Sequence, residues 1–168
     1  MKAVLRVALV LLTASVLEQG LASAVRIDGV AADVLLLVAV SAGIVAGPDL
    51  GAVVGFFAGL TLDLLIPAPL GIAALSYCLS GYAVGLLGRS SVRSGRWQSP
   101  ALAAAGSALG IVLYVLVSRT VGRTGLLNTH LIAVVAVVSL VNAVLSPWST
   151  RVLRWALGDA VIRHPAIR

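Results

Sequence analysis

The chain has 168 residues, of which 60% are hydrophobic and 11% are charged, and its mean hydropathy is +1.10. Soluble domains carry about 25% charged residues, so this chain has too little polar surface to cover a core in water. Lipid is therefore the expected solvent, which excludes a soluble enzyme and a separate extramembrane domain. The net charge of +6 would also suit nucleic-acid binding, but the basic residues lie at the ends of apolar segments, so we expect no nucleic-acid partner.

The first predicted helix covers residues 4–24. Lys2 and Arg6 precede an apolar run that ends in small residues, a pattern typical of a cleavable signal peptide. Because the rest of the chain is equally apolar, we interpret this segment as an uncleaved membrane helix. Glu18 lies about two-thirds of the way along it.

Five more apolar segments follow, at about 33–47, 51–66, 70–88, 100–117 and 126–145. The second and third have about 15 residues each, against roughly 20 for an upright span, so they are either thin spans or a re-entrant hairpin. Residues 147–168 combine tryptophan with arginine and are predicted to form a cytoplasmic interfacial tail. The expected fold is a single all-α domain, a six-helix transmembrane bundle over residues 1–168.

The most distinctive pattern is a glycine ladder that leads to an acid. Its members recur every four residues: Gly43, Gly47, Gly51, Gly55, Gly59 and then Asp63. Positions i and i+4 share a helix face, so the glycines predict a stripe where another backbone approaches closely. Asp63 should face protein, because a charge in lipid is costly. Its expected hydrogen-bond donors are the N–H groups of the helix after the 67–69 turn, or Ser and Tyr hydroxyls.

The titratable residues match no catalytic or metal-binding motif. His130 and His164 fall on opposite sides of the predicted membrane and cannot share a metal, and nucleophile and nucleotide motifs are absent from the sequence. We therefore expect no enzyme activity, cofactor or metal. Glu18 and Asp63 are the two acids predicted at a common depth.

Intramembrane acids also serve as proton relays or substrate ligands, so transport stays open as an alternative. A small-molecule-binding transporter subunit would need an internal polar cavity. The candidates for lining it are Glu18, Ser76, Tyr77, Ser80, Tyr82, Ser107 and Tyr114.

The distribution of basic residues predicts the orientation. With six crossings, one side carries nine Lys and Arg residues and the other side carries three. Basic residues favour the cytoplasmic side, so both termini are expected in the cytoplasm.

Two patches resemble the rod shape-determining protein MreD family. The first patch is Gly55-Phe56-Phe57-x-Gly59-Leu60-x-x-Asp63-Leu64, followed by Leu70-Gly71-x-x-Ala74-Leu75 and Gly81-Tyr82. The second patch is Asn142-Ala143-Val144-Leu145-x-Pro147-Trp148. The sequence departs from the family at Ala32-Asp33, where a Pro usually precedes the acidic or amide residue.

The resemblance implies a fold similar to the S components of energy-coupling-factor vitamin transporters. It also implies a non-catalytic scaffold in the bacterial cell-elongation complex that guides lateral peptidoglycan synthesis. The implied partners are an MreC-like single-pass membrane protein and, indirectly, MreB, RodA and a class B penicillin-binding protein; membrane lipid and a second copy of the chain are further candidates. The residues expected in helix packing or partner binding are Gly51, Gly55, Phe56, Gly59, Asp63, Gly71, Gly81, Asn142, Pro147 and Trp148.

Overall fold

The computed structural model describes residues 2–24, 33–66, 69–90, 97–122 and 130–163, and in these ranges it contains six α-helices and no strand. They are α1 (Lys2–Ala24), α2 (Val34–Ala46), α3 (Pro48–Leu65), α4 (Ile72–Ser90), α5 (Gln98–Thr120) and α6 (His130–Arg163). The predicted all-α architecture is confirmed. By length and composition α1, α3, α5 and α6 can cross a membrane, whereas α2 and α4 are shorter apolar helices.

Helix α2 lies at the centre of the bundle and contacts the other five helices. Every residue from Leu35 to Gly43 is buried, so this helix is apolar on all sides because protein surrounds it. Its 13 residues span about 20 Å at 1.5 Å per residue. A helix enclosed in this way has no need to match the thickness of the hydrocarbon, which accounts for its short length.

A single residue, Gly47, joins α2 to α3. Its φ of 86° is in the left-handed region that favours glycine, and its N–H donates to the carbonyl of Gly43 at 3.0 Å. Pro48 then opens α3, since proline suits the first position of a helix, where no N–H is needed. The third helix therefore begins three residues earlier than the predicted start at Gly51.

The glycine face of α3 packs directly against the backbone of the antiparallel helix α4. The facing pairs are Gly51 with Gly81, Gly55 with Tyr77, and Gly59 with Ala73. A Cβ on any of these three α3 glycines would lie less than 3.0 Å from a backbone atom of α4, closer than side chains tolerate. The absence of side chains on this face is therefore what allows the two helices to approach.

Helix α6 does not end near Leu145 as expected, because it continues through Pro147 to Arg163. Proline has no N–H for the carbonyl of Ala143, one turn earlier, and normally breaks a helix there. The hydroxyl of Ser146 donates to that carbonyl at 2.9 Å and so provides the missing hydrogen bond. The expected helix start near residue 126 lies outside the described residues.

The last turns of α6 belong to the bundle and do not form a separate tail. Leu153 and Leu157 are buried in the core, and α6 contacts α1. The guanidinium of Arg6 lies 5.0 Å from the centre of the Trp155 ring, within the range of a cation–π interaction. These contacts place the start of α1 and the end of α6 at the same end of the bundle.

Candidate functional site

Asp63 binds the N-terminus of α4 with both carboxylate oxygens. Oδ2 accepts from the backbone N–H groups of Gly71 at 2.9 Å and Ala74 at 3.1 Å, and Oδ1 accepts from Ala73 at 3.0 Å. The side chain is buried. The prediction that a helix N-terminus after the turn supplies the donors is confirmed, and each of these three bonds comes from the backbone.

The position of Asp63 follows from the glycine ladder. It comes one helical turn after Gly59, so it projects from the face of α3 that packs on α4. Gly71, with a φ of 101°, sits in the turn that brings the start of α4 back towards the carboxylate. Because free N–H groups and the helix dipole both favour an anion at a helix start, α4 can hold this carboxylate away from water.

Two further acids lie at the N-terminus of α2. Glu18 Oε2 accepts from the backbone N–H groups of Val34 at 2.7 Å and Leu35 at 3.3 Å. Asp33 is the N-cap residue, and its Oδ1 accepts from Leu36 at 2.8 Å. Glu18 and Asp63, which the sequence places at a common depth, therefore bind two different helices and not each other.

Asp33 connects the start of α2 directly to α4 and α6 and, through Asn142, to α5. Its Oδ2 accepts a hydrogen bond from the hydroxyl of Tyr77 on α4. The buried side chain of Asn142 on α6 donates through Nδ2 to the Asp33 carbonyl at 3.3 Å and to the hydroxyl of Ser107 on α5 at 2.9 Å. We call Glu18, Asp33, Tyr77, Ser107 and Asn142 the α2 polar cluster. It fixes the central helix to α1, α4, α5 and α6.

A cavity of about 220 Å³ opens beside this cluster. It is lined by Glu18, Asp33, Leu62, Ile66, Tyr77, Ile111 and Tyr114. Three of the residues that the sequence nominated for a polar cavity, Glu18, Tyr77 and Tyr114, are thus brought together. The structure adds Asp33 to them.

The other residues that the sequence predicted for a polar cavity do not line this one. Ser76 and Ser80 each donate to a carbonyl four residues earlier in α4, at 2.7 Å. Tyr82 is exposed on the outer side of α4, and Ser107 is engaged by Asn142. The polar lining of the cavity is therefore smaller than the sequence suggested.

The residues expected in helix packing or partner binding fall into two groups. The glycines of α3, Gly81, Asp63 and Asn142 lie inside the bundle, whereas Phe56, Pro147 and Trp148 lie on its surface. Phe56 and Phe57 are exposed side by side, with ring centres 5.7 Å apart and nearly perpendicular. Gly71 serves the turn before α4: a Cβ there would meet no other atom within 4 Å.

Asp33 is the residue of this site that the sequence reading missed. The predicted second segment begins at residue 33, but Asp33 was not among the candidate site residues. An aspartate directly before an apolar run is a recognised N-cap signal, and that signal could have identified its role. Its bonds to α4 and α6 depend on the tertiary structure.

These features define a small multi-pass α-helical membrane protein in which carboxylates bind the N-termini of two helices, α2 and α4. Within the described ranges, no group of three or more His, Cys, Asp and Glu side chains could hold a metal ion.

The family model of rod shape-determining protein MreD matches residues 1–154, nearly the whole chain, so the chain belongs to this family and the resemblance is confirmed. A search of curated proteins found no match, and neither did a search of solved structures. Membership gives the protein a role in determining rod shape, within a family of shape-determining membrane proteins that is not a known enzyme family.

Proposed function

We propose that this protein is a non-catalytic scaffold of the rod complex that binds an MreC-like single-pass membrane protein. Through that partner it would organise lateral peptidoglycan synthesis together with MreB, RodA and a class B penicillin-binding protein. The match to the family over residues 1–154 carries this proposal. A fold similar to the S components of energy-coupling-factor transporters is part of the same proposal.

We place the partner helix in an apolar groove between α1, α3 and the end of α6. The groove has a volume of about 310 Å³. Its lining includes Val4, Val7, Leu11, Val54, Phe57 and Leu157. Both α1 and α3 are long and apolar enough to cross the membrane, so an occupant of the groove must itself be apolar along its length. A single-pass helix meets that requirement.

The rigid packing inside the bundle supports a scaffold role. The backbone contact between α3 and α4 and the caps of α2 and α4 fix the shape of the face that carries Phe56 and Phe57. A preformed surface loses little entropy when a partner binds.

Photo-crosslinking tests the docking surface. A photoreactive residue in place of Phe57 should crosslink to the MreC-like partner in membranes. The matched control is Leu116, which is 54% exposed on α5 and lies outside the groove. Equal crosslinking from both positions would contradict the proposed docking surface. If the unmodified protein does not co-purify with the MreC-like partner, the proposed scaffold function is wrong.

We also propose that all six helices cross the bacterial cytoplasmic membrane with both termini in the cytoplasm. The excess of basic residues on one side supports this orientation. The contact between Arg6 and Trp155 supports a common side for the two ends.

One observation favours the alternative of a small-molecule-binding transporter subunit, namely the cavity at Glu18, Asp33 and Tyr77. A cavity for a polar solute would need several polar groups in its lining. Of the seven residues nominated from the sequence, Glu18, Tyr77 and Tyr114 line this cavity, so the scaffold fits better.

A further inference from the structure

The cavity beside the α2 polar cluster has an apolar wall and an acidic wall. Leu62, Ile66 and Ile111 form the apolar side, while Glu18 and Asp33 form the acidic side together with two tyrosines. The lining comes from the second half of α1, the start of α2, the end of α3, the first half of α4 and the second half of α5, so the cavity lies towards one end of the bundle.

When both are ionised, the carboxylates of the acidic wall carry more negative charge than their protein contacts offset. Glu18 and Asp33 both line the cavity and both accept hydrogen bonds from the first turn of α2, so two carboxyl groups share one helix N-terminus. Among the described residues, their hydrogen-bond donors are backbone N–H groups of α2 and the hydroxyl of Tyr77. A helix N-terminus is equivalent to roughly half a positive charge, against two carboxylates. A cation or protons must supply the remainder, because an unbalanced charge is costly inside a membrane protein.

The size and lining of the cavity favour an organic cation over a metal ion. Hard metal ions need six or more oxygen ligands in protein and water, whereas much of this wall is hydrocarbon. A volume of about 220 Å³ leaves room for carbon substituents. Tyr77 and Tyr114 add aromatic rings, whose faces attract ammonium groups.

We propose that this cavity binds an organic ammonium group. The charged nitrogen would lie at Glu18 and Asp33, and its carbon substituents would lie against Leu62, Ile66 and Ile111. The ammonium group can come from a free amine or from a lipid headgroup, since the two share the same chemistry. The inference rests on the cavity alone and does not depend on partner binding.

Thermal unfolding of the full-length protein in phosphatidylglycerol nanodiscs tests the proposal. We expect n-butylammonium to raise the melting temperature saturably, while n-butanol and butyrate, matched in size, do not. Glu18→Gln keeps an oxygen for the N–H groups of α2 but removes the charge, and should weaken butylammonium binding about ten-fold or more. Tyr82→Phe, which alters an exposed tyrosine outside the cavity, should bind as the wild type does.

Two results would overturn the proposal. Equal stabilisation by butanol would show that the apolar wall alone is responsible, and unchanged binding by Glu18→Gln would show that the acid is not involved. The source of the ammonium group follows from adding phosphatidylethanolamine to the nanodiscs. If phosphatidylethanolamine raises the melting temperature and butylammonium then raises it no further, the cavity binds the lipid headgroup. If butylammonium still raises the melting temperature by the same amount, the cavity binds the free amine.

Labelling of the wild-type protein covers the case in which Glu18→Gln fails to fold. A carbodiimide adds to protonated carboxyl groups, and the activated group then rearranges to an N-acylurea or is attacked by butylamine to give a butylamide with release of a urea. Peptide mass spectrometry measures the sum of both products at Glu18 and Asp33, which reports how fast the carboxyl group is activated. Bound butylammonium should slow this labelling in proportion to its occupancy. If the two acids are neutralised by protons alone, butylammonium will leave the labelling rate unchanged, and the proposal is wrong.

Discussion

Replacing Asp63 with leucine would leave three backbone N–H groups at the start of α4 without their acceptor. The bonds to Ala73 and Ala74 are buried, so water cannot readily replace them. A buried donor without a partner costs about 1–3 kcal/mol, so these two together cost about 2–6 kcal/mol. Since whole domains are stable by about 5–15 kcal/mol, Asp63→Leu should fail to accumulate or should unfold far below the wild type.

Asparagine at the same position should be much milder. Its oxygen can take the place of Oδ2 and accept from Gly71 and Ala74, while its amide nitrogen would face the N–H of Ala73. One unsatisfied donor costs about 1–3 kcal/mol. For a chain of this size 1 kcal/mol corresponds to about 2–4 °C, so Asp63→Asn should lower the melting temperature by about 2–12 °C.

The measurement is thermal unfolding of purified variants by circular dichroism, alongside partner co-purification and restoration of rod shape. Thr61→Val is the matched control, because the Thr61 hydroxyl donates to the carbonyl of Phe57 in its own helix at 2.8 Å and, among the residues that the structure describes, has no bond to another helix. If Asp63→Leu unfolds within about 2 °C of the wild type, the capping argument is wrong. An Asp63→Asn protein that is folded and partner-bound but inactive would indicate a proton relay.

Three further predictions follow from the packing and the charge distribution. Gly55→Leu should lower the melting temperature or prevent accumulation, because overpacking costs typically 1–3 kcal/mol and the neighbouring atoms here are backbone atoms that cannot move aside. Leu60→Ala, on the same helix, should be tolerated. Equal effects of the two substitutions would contradict the close contact between α3 and α4. Asn142→Leu removes the hydrogen bonds to α5 and to the start of α2, and thermal unfolding should show a destabilisation of about 1–3 kcal/mol. An unchanged melting temperature would contradict a stabilising role of the α2 polar cluster. A reporter active only in the cytoplasm should work after Arg168 and not after Arg123, and activity after Arg123 would overturn the six-span orientation.

Local patterns in the sequence determined the elements of this protein and the face of α3 that packs. Composition indicates membrane helices, because so few charged residues cannot cover a core in water. The four-residue spacing from Gly51 to Asp63 places these residues on one face, because a helix repeats every 3.6 residues. The sequence therefore predicts that the Asp63 carboxylate lies on the helix face that packs against a neighbouring helix.

Only the tertiary structure decided which helix each acid binds and which helix is central. The sequence predicts the same membrane depth for Glu18 and Asp63, but the hydrogen bonds that each makes depend on which helices are neighbours. Glu18 accepts from α2, and Asp63 accepts from α4. Pro147 is a helix breaker by sequence, yet α6 continues because Ser146 binds the carbonyl that proline leaves free. Asp33 is an N-cap that the sequence could have revealed, but its bonds to α4 and α6 arise between residues 44 and 109 positions apart, and no local pattern encodes such contacts.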